Sequence, residues 1–378
     1  MNKDKIYFPN LNGLRFIAAF LVIIHHIEQF KALNHLENYF KQIGFVSVIG
    51  KLGVVLFFVL SGYLITYLLL AEEEKFKTIS IGKFYMRRVL RIWPLYFLII
   101  GLAFLVFPNI ELFVLPDFNK EVIYSNLVQK LILYVFLFPN LVLSLFGVVP
   151  YASHAWSIGT EEQFYLVWPI LIKYIRKYRI VLMFAIIILY VGIQLFLYHP
   201  ISNNIPFYKI INAYWSTFPV DCMAIGGIYA VLLYYKSNFL KYLLRNDLFY
   251  ASIILVSTLM IFGVKFTYFY NEFYSVFFGI IILNFSANNN IKISLENKVF
   301  NYLGNISYGL YMFHPVGIML AIGLLIPLRL NSNWLIYPFS FLFTIALAGL
   351  SYKYFETYFL KFKKKFSKVL SGNREVDK

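Results

Sequence analysis

Long apolar runs separated by short polar stretches dominate the chain. A helix needs roughly 20 mostly apolar residues to cross a bilayer, and only helices and closed barrels satisfy their backbone hydrogen bonds there. A barrel would show short alternating segments, whereas these runs are continuous. The sequence therefore predicts an all-α, polytopic membrane bundle of about ten spans. They lie at about 11–29, 52–71, 93–109, 156–174, 180–198, 210–235, 248–264, 270–287, 301–326 and 334–357.

One further apolar stretch, at about 122–146, is interrupted by Pro139 and Asn140. We predict a re-entrant or broken segment there, because a complete crossing would move the basic run at 173–179 to the other side. Without that crossing, 24 of the 34 Lys and Arg residues fall on the side of the N-terminus and 8 on the opposite side. Cytoplasmic loops of membrane proteins are enriched in Lys and Arg. This asymmetry predicts that both chain ends are cytoplasmic.

Composition supports the membrane class. Hydrophobic residues make up 60% of the 378 residues and charged residues 14%, whereas soluble domains carry about 25% charged residues. This excludes a soluble globular enzyme and a disordered chain, and the net charge of +16 then reflects membrane orientation rather than nucleic-acid binding. The single cysteine, Cys222, excludes an internal disulfide. We expect a retained first helix, one membrane domain at 1–360 and a basic cytoplasmic tail at 361–378.

Ionisable residues inside predicted spans mark functional sites by default, because they are costly in a bilayer. Arg15 and His26 are eleven residues apart in the first span, which is three helical turns plus about 20°, so both lie on one stripe. Ala19 and Val22 lie between them and predict a groove. His26 is either a packed, hydrogen-bonded side chain or a general base, since an imidazole can exchange a proton near neutral pH.

Three arginines, Arg87, Arg88 and Arg91, precede the third predicted span. They serve either as a topology anchor or as a site for a phosphate-bearing ligand, which arginine binds in a bidentate manner. Two adjacent carboxylates, Glu161 and Glu162, open a later apolar helix. They either stabilise the helix N-terminus or contribute to a site, and because they point to different faces, at most one of them lines a given pocket.

Weaker candidates include Glu356, near the end of the last predicted span, and two further residues. Asp221 stands alone in an apolar run, and His314 follows Tyr308 and Tyr311 at helical spacing. Aromatic stripes usually reflect packing, so a packed His314 and a His314 in a pocket both remain open.

Five blocks of the sequence carry a family resemblance. They are LNGLRFIAA at 11–19 followed by His26, GVVLFFVLSGYLI at 53–65, RRVLRIWPLY at 87–96, the stretch from Trp156 through Glu161 to Tyr165, and ISYGLYMFH at 306–314. In this order they resemble the integral-membrane acyltransferase family 3, which includes O-acetyltransferases of surface glycans. One departure is Pro219, since the family often has an arginine two residues before the acid at Asp221.

The resemblance implies a multi-pass enzyme of a bacterial inner (plasma) membrane. Its donor would be cytosolic acyl-CoA, most of all acetyl-CoA. Its acceptor would be a hydroxyl group of a carbohydrate, either free or on a lipid carrier. Its partners would be other proteins of glycan biosynthesis. No metal and no nucleic acid are expected. Two other functions stay open: a glycan exporter, and a half-enzyme that carries acyl groups across the membrane for a separate transferase.

The resemblance also assigns roles to individual side chains. It implies that Arg15 and His26 are catalytic, that the three arginines bind the donor and that Glu161 is the family's acidic residue. Direct transfer and a covalent acyl-histidine both fit this set. The remaining expected contacts are Ser61 and Tyr96 with the donor, and Trp156, Asp221 and His314 with the acceptor.

Overall fold

A computed structural model describes residues 5–40 and 42–371. The regular secondary structure of the described residues is helical except for two short strands, β1 (Lys5–Ile6) and β2 (Leu370–Ser371), which pair in parallel. The helices are α1 (Leu11–Leu33), α2 (Gly44–Phe76), α3 (Ile81–Gly101), α4 (Lys120–Tyr124), α5 (Leu127–Val135), α6 (Pro139–Phe146), α7 (Trp156–Tyr174), α8 (Arg179–Tyr198), α9 (Tyr208–Ser216), α10 (Val220–Tyr234), α11 (Leu240–Leu243), α12 (Asn246–Ile261), α13 (Tyr270–Ala287), α14 (Lys298–Asn305), α15 (Ser307–Leu325), α16 (Asn333–Ser351) and α17 (Thr357–Lys363).

Seven helical stretches of the described chain are long and apolar enough to cross a membrane. The protein is therefore a polytopic helical membrane protein. The seven are 11–33, 44–76, 81–109, 179–198, 208–234, 307–325 and 333–366. Three further predicted spans, at α7, α12 and α13, are helices but fall outside this set: α12 has only 16 residues, α7 contains Glu161 and Glu162, and α13 begins with polar residues.

Two helices extend well beyond their predicted spans. α2 continues to Phe76, and α3 begins at Ile81, so the three arginines lie within the first turns of α3 rather than before it. Side-chain bonds hold this junction: Glu72 accepts a hydrogen bond from the backbone N–H of Ser80 at 2.8 Å and another from Arg87 at 3.2 Å. A hydropathy pattern locates the apolar part of a helix and does not report such polar extensions.

The interrupted stretch at 122–146 is broken, as predicted. It forms the three short helices α4, α5 and α6, and Pro139 occupies the first turn of α6, where its missing N–H costs nothing. Two predicted spans are also broken. α9 and α10 are separated just before Val220 by Pro219, and α14 and α15 are separated at Ile306.

The segments predicted to be cytoplasmic meet at one end of the bundle. The contacts that join them are Arg176 with Glu73 at 2.6 Å, Arg179 with Glu73, Arg87 with the carbonyl of Phe366 at 3.0 Å, Asn246 with the carbonyl of Asn290 at 3.3 Å, and the backbone N–H of Asn10 with Glu296 at 2.5 Å. α3 leaves this end and α7 returns to it. Residues 1–4 and 372–378 of the predicted end segments, which include part of the tail, lie outside the described residues.

α2 is the central helix and crosses α10 at very short range. A Cβ atom at Gly62 would lie 1.9 Å from the carbonyl oxygen of Met223, and one at Gly226 would lie 2.1 Å from the carbonyl oxygen of Val59. Glycine on both helices thus lets the two backbones touch, as small residues do at interfaces between membrane helices.

We predict that Gly62→Ala destabilises the protein by about 3 kcal/mol or more, since overpacking a filled site forces backbone shifts. The measurement is the thermal midpoint of the detergent-purified protein. The matched control is Gly192→Ala in α8, where no atom lies within 4 Å of the added Cβ. Equal midpoints for both variants would show that the α2–α10 crossing tolerates a methyl group.

Candidate active site

A cavity of about 1660 Å³ occupies the end of the bundle where these segments meet. It lies between α1, α2, α3, α7 and α15 and is also lined by Tyr7 and Phe8 near the N-terminus and by Ser367 and Val369 near the C-terminus. It reaches the surface at this end, where Asn289 and Lys364 are exposed. A polar chamber in a membrane bundle requires such access, because lipid cannot solvate its walls.

The cavity wall is strongly cationic and favours an anionic ligand. Among the described residues, six basic side chains face three acidic ones on its lining. The basic residues are Arg15, Arg87, Arg88, Arg91, Lys363 and Lys364, and the acidic residues are Glu72, Glu161 and Glu356. The sequence did not predict that the two lysines line a site. They belong to a basic tail, and such a tail can equally serve as a signal for membrane orientation.

The arginines of α3 differ in how far they are already bound. Arg87 donates to Glu72 and to the carbonyl of Phe366. Arg88 lies over the rings of Phe84 and Tyr165 at 5.6 and 5.5 Å. Its Nε is buried and has no hydrogen-bond partner within the described residues. Because an unpaired buried donor is costly, Arg88 is the arginine best prepared for an incoming anion.

Glu161 belongs to a hydrogen-bonded group on the cavity wall. The Tyr165 hydroxyl lies 3.0 Å from the carboxylate of Glu161 and also contacts the Ser61 hydroxyl. Tyr165 follows Glu161 by four residues, so helical spacing could have revealed it. Glu162 points elsewhere and accepts a hydrogen bond from Trp93 at 2.8 Å, as the angle between adjacent helical residues predicts.

The prediction of a groove along α1 between Arg15 and His26 is wrong. Ala19 and Val22 are fully buried, and α2 fills the space beside them, because a Cβ at Gly53 would lie 2.9 Å from the Val22 side chain. The cavity instead follows α2 and α15. It includes Arg15 but, among the described residues that line it, not His26. The rise of an α-helix places these two positions about 16 Å apart along α1.

His26 lies in a cluster of imidazoles beyond the inner end of the cavity. Its ring centroid is 4.6 Å from that of His314, which in turn is 5.1 Å from that of His154. Tyr311 separates them from the cavity: it is on the lining, and its ring centroid lies 5.7 Å from those of both His154 and His314. The structure thus brings His26 and His314 together and adds His154, which the sequence did not single out.

Besides His314, three other expected contact residues lie away from the cavity lining. Tyr96 is fully buried and donates to the carbonyl of Tyr134 at 2.9 Å. Asp221 is fully buried in the first turn of α10. Trp156 packs against Phe58 with 6.1 Å between ring centroids. Each side chain is directed into a helix–helix contact, a direction that helical spacing alone did not reveal.

Burial lowers the pKa of the His154 imidazole, just before α7, to about 4. This ring is therefore neutral at pH 7 and keeps an unprotonated nitrogen. Among the described residues, no group of three His, Cys, Asp or Glu side chains is arranged to hold a metal ion.

The protein is thus a polytopic membrane bundle with a cationic cavity suited to an anionic ligand and a group of imidazoles beyond it. Sequence comparison specifies the family: the profile of the acyltransferase domain matches residues 8–353. The chain therefore belongs to this acyltransferase family. No solved structure matches it.

Curated relatives include three O-acetyltransferases. The chain is 30% identical over 194 residues to a peptidoglycan O-acetyltransferase, OatA, of Listeria monocytogenes, covering 48% of this chain and 28% of the relative. It is 26% identical over 366 residues to O-acetyltransferase OatA of Staphylococcus aureus strain NCTC 8325, covering 93% and 57%. It is 26% identical over 379 residues to a putative O-acetyltransferase of S. aureus strain COL, covering 95% and 58%. The chain thus spans less than two thirds of the length of each of them.

Proposed function

We propose that the protein transfers an acetyl group from acetyl-CoA to a hydroxyl group of a cell-envelope carbohydrate such as peptidoglycan. The observation that carries this proposal is the 1660 Å³ cavity with its six basic side chains, which suits a large donor bearing several phosphates. The family match and the O-acetyltransferase names of the relatives support the transfer of an acetyl group.

The donor phosphates bind near Arg88, Arg91 and Lys364, at the end of the cavity that reaches the surface. Arg15 lies deeper on the same wall and binds the donor farther along. Because Arg15 and His26 are about 16 Å apart along the helix axis, Arg15 cannot stabilise an oxyanion at a carbonyl that His26 serves. The donor arm reaches His26 only when the Tyr311 side chain turns aside.

His26 acts as the general base. Its Nδ1 lies 2.9 Å from the carbonyl oxygen of Val22, and a carbonyl can only accept, so Nδ1 carries the proton and Nε2 keeps its lone pair. Nε2 takes the proton of the acceptor hydroxyl. The hydroxyl oxygen then bonds to the thioester carbonyl carbon, the carbon–sulfur bond breaks, and CoA leaves as a thiolate.

The protein crosses the bacterial plasma membrane ten times with both ends in the cytoplasm. Support comes from the parallel pairing of β1 with β2, which brings both ends of the described chain together, and from the contacts of Arg176 and Arg179 with Glu73 at that same end. This orientation presents the cavity to cytosolic acetyl-CoA.

We predict that Arg88→Gln raises the KM for acetyl-CoA roughly ten- to hundredfold with a smaller change in kcat, since hydrogen bonds to charged groups contribute about 1.5–3 kcal/mol. The assay follows CoA release in membrane vesicles. Arg176→Gln is the matched control, because Arg176 lies at the same end of the bundle, is exposed and is absent from the cavity lining. An unchanged KM in Arg88→Gln would show that the donor does not bind at this wall of the cavity.

We predict that His26→Ala lowers acetyl transfer at least a hundredfold, the usual contribution of a general base. The readout is radiolabelled acetyl incorporation into envelope carbohydrate, normalised to inserted protein. His35→Ala is the control, because His35 is exposed. Parental activity in His26→Ala would exclude this base. CoA release without labelled carbohydrate in the parent would instead favour the half-enzyme.

We predict that a membrane-impermeant thiol reagent labels Asp117→Cys from outside intact cells and Asn290→Cys only after lysis. Both positions are exposed, and the native Cys222 is buried and serves as the unlabelled background. Labelling of both variants in intact cells would contradict the proposed topology.

A further inference from the structure

Three imidazoles from three separate parts of the fold meet beyond the cavity. His26 comes from α1, His314 from α15, and His154 from the 3₁₀ turn Ser153–Ala155. The proposed base is therefore not a lone histidine. Its nearest ring, His314, is fully buried, and His154 is almost so, at 7% exposure.

The hydrogen bonds around this cluster determine which ring nitrogens are free. Nδ1 of His314 lies 2.6 Å from the carbonyl oxygen of Tyr311, so it carries a proton for the same reason as Nδ1 of His26. Nε2 of His314 and Nε2 of His154 are buried and have no hydrogen-bond partner within the described residues. The unprotonated Nε2 of His314 thus lies on the ring next to the base and lacks a donor.

A histidine base usually has a third group that orients it and stabilises its protonated form. Within the described residues, no hydrogen bond joins a carboxylate to His26 or His314. The carboxylate closest in sequence, Glu28, is already bound to Lys31 and Tyr337, both at 2.8 Å.

The other titratable groups near His26 also have hydrogen-bond partners already. His25, on the same helix, lies 5.2 Å from His26 between ring centroids, but its Nδ1 is 2.7 Å from the carbonyl of Val46 and its ring packs on Gly50 of α2. The Tyr311 hydroxyl donates to the carbonyl of His154 at 2.8 Å. The Val22 carbonyl already orients the His26 ring through Nδ1, so His314 is the neighbouring side chain left to stabilise the protonated form.

We infer that His314 supports the base: once Nε2 of His26 has taken the proton of the acceptor hydroxyl, the free Nε2 of His314 accepts a hydrogen bond from that new N–H, and His154 packs against His314. The inference rests on the proposed function. The hydroxyl O–H breaks, the proton moves to the histidine pair, the ester C–O bond forms and the C–S bond breaks. The thiolate then takes a proton from water, and the histidine pair returns its proton to water, so the step balances.

The experiment measures acetyl-CoA-dependent labelling of envelope carbohydrate in membrane vesicles with the full chain. We expect His314→Phe, which keeps a ring but no nitrogen, to lower kcat roughly ten- to hundredfold while the KM for acetyl-CoA stays unchanged, a part of the effect of a general base. His314→Gln restores part of kcat, because its amide oxygen accepts a hydrogen bond. In a His26→Ala background, His314→Phe causes no further loss, since residues that act through one another are not additive.

The outcomes separate this inference from the proposed function. If His26→Ala abolishes transfer and His314→Phe keeps parental kcat, the inference fails and the proposed base stands. If His26→Ala keeps parental activity, the proposed base is excluded and the inference fails with it, although acetyl transfer stands. If the parent shows no acetyl-CoA-dependent labelling, the proposed function itself fails. Two other outcomes would assign His314 a merely structural role and overturn the inference. In the first, the KM of His314→Phe rises by the same factor by which its kcat falls. In the second, His314→Phe fails to insert into the membrane and His314→Gln does not restore insertion. His35→Ala serves as the unaffected control.

Discussion

A positive charge inside a membrane bundle is stable only with an anion, water or an electron-rich ring beside it, and this requirement organises the cytoplasm-facing half predicted for the protein. Arg87 is held by Glu72, and Arg88 lies over the aromatic rings of Phe84 and Tyr165. Glu161 shares the wall through Tyr165. On the part of the lining that the structure describes, six basic residues still exceed three acidic ones, so the bundle retains an unneutralised positive surface. The cavity exists because these groups cannot be packed against lipid.

Close helix packing keeps the rest of the membrane domain dense while the cavity stays open. Gly62 and Gly226 let α2 and α10 touch, and Gly53 lets α1 approach α2. This packing closes the space between Arg15 and His26 that their common stripe predicted. The cationic chamber and the imidazole cluster therefore become two compartments with Tyr311 between them. Movement of one aromatic side chain, rather than of a whole helix, would join them.

The sequence predicted the membrane class, the positions of most helices and the main ionisable residues. α1, α7 and α13 begin at the predicted residue, because apolar runs and helix length are local properties. The polar extensions of α2 and α3 were missed, as were the breaks before α10 and at Ile306. These features depend on side-chain contacts with distant segments, such as that between Arg87 and Phe366, which no periodicity encodes.

The sequence by itself determined which residues are costly to place in a bilayer, and it placed Arg15, the α3 arginines, Glu161, His26 and His314 among them. Only the tertiary structure decided which of them share a compartment. It separated Arg15 from His26, brought His314 and His154 to His26, and added Lys363 and Lys364 to the cavity wall. The physical reason is that the cost of a buried charge is a property of one residue, whereas its solvation is provided by neighbours that only folding brings together.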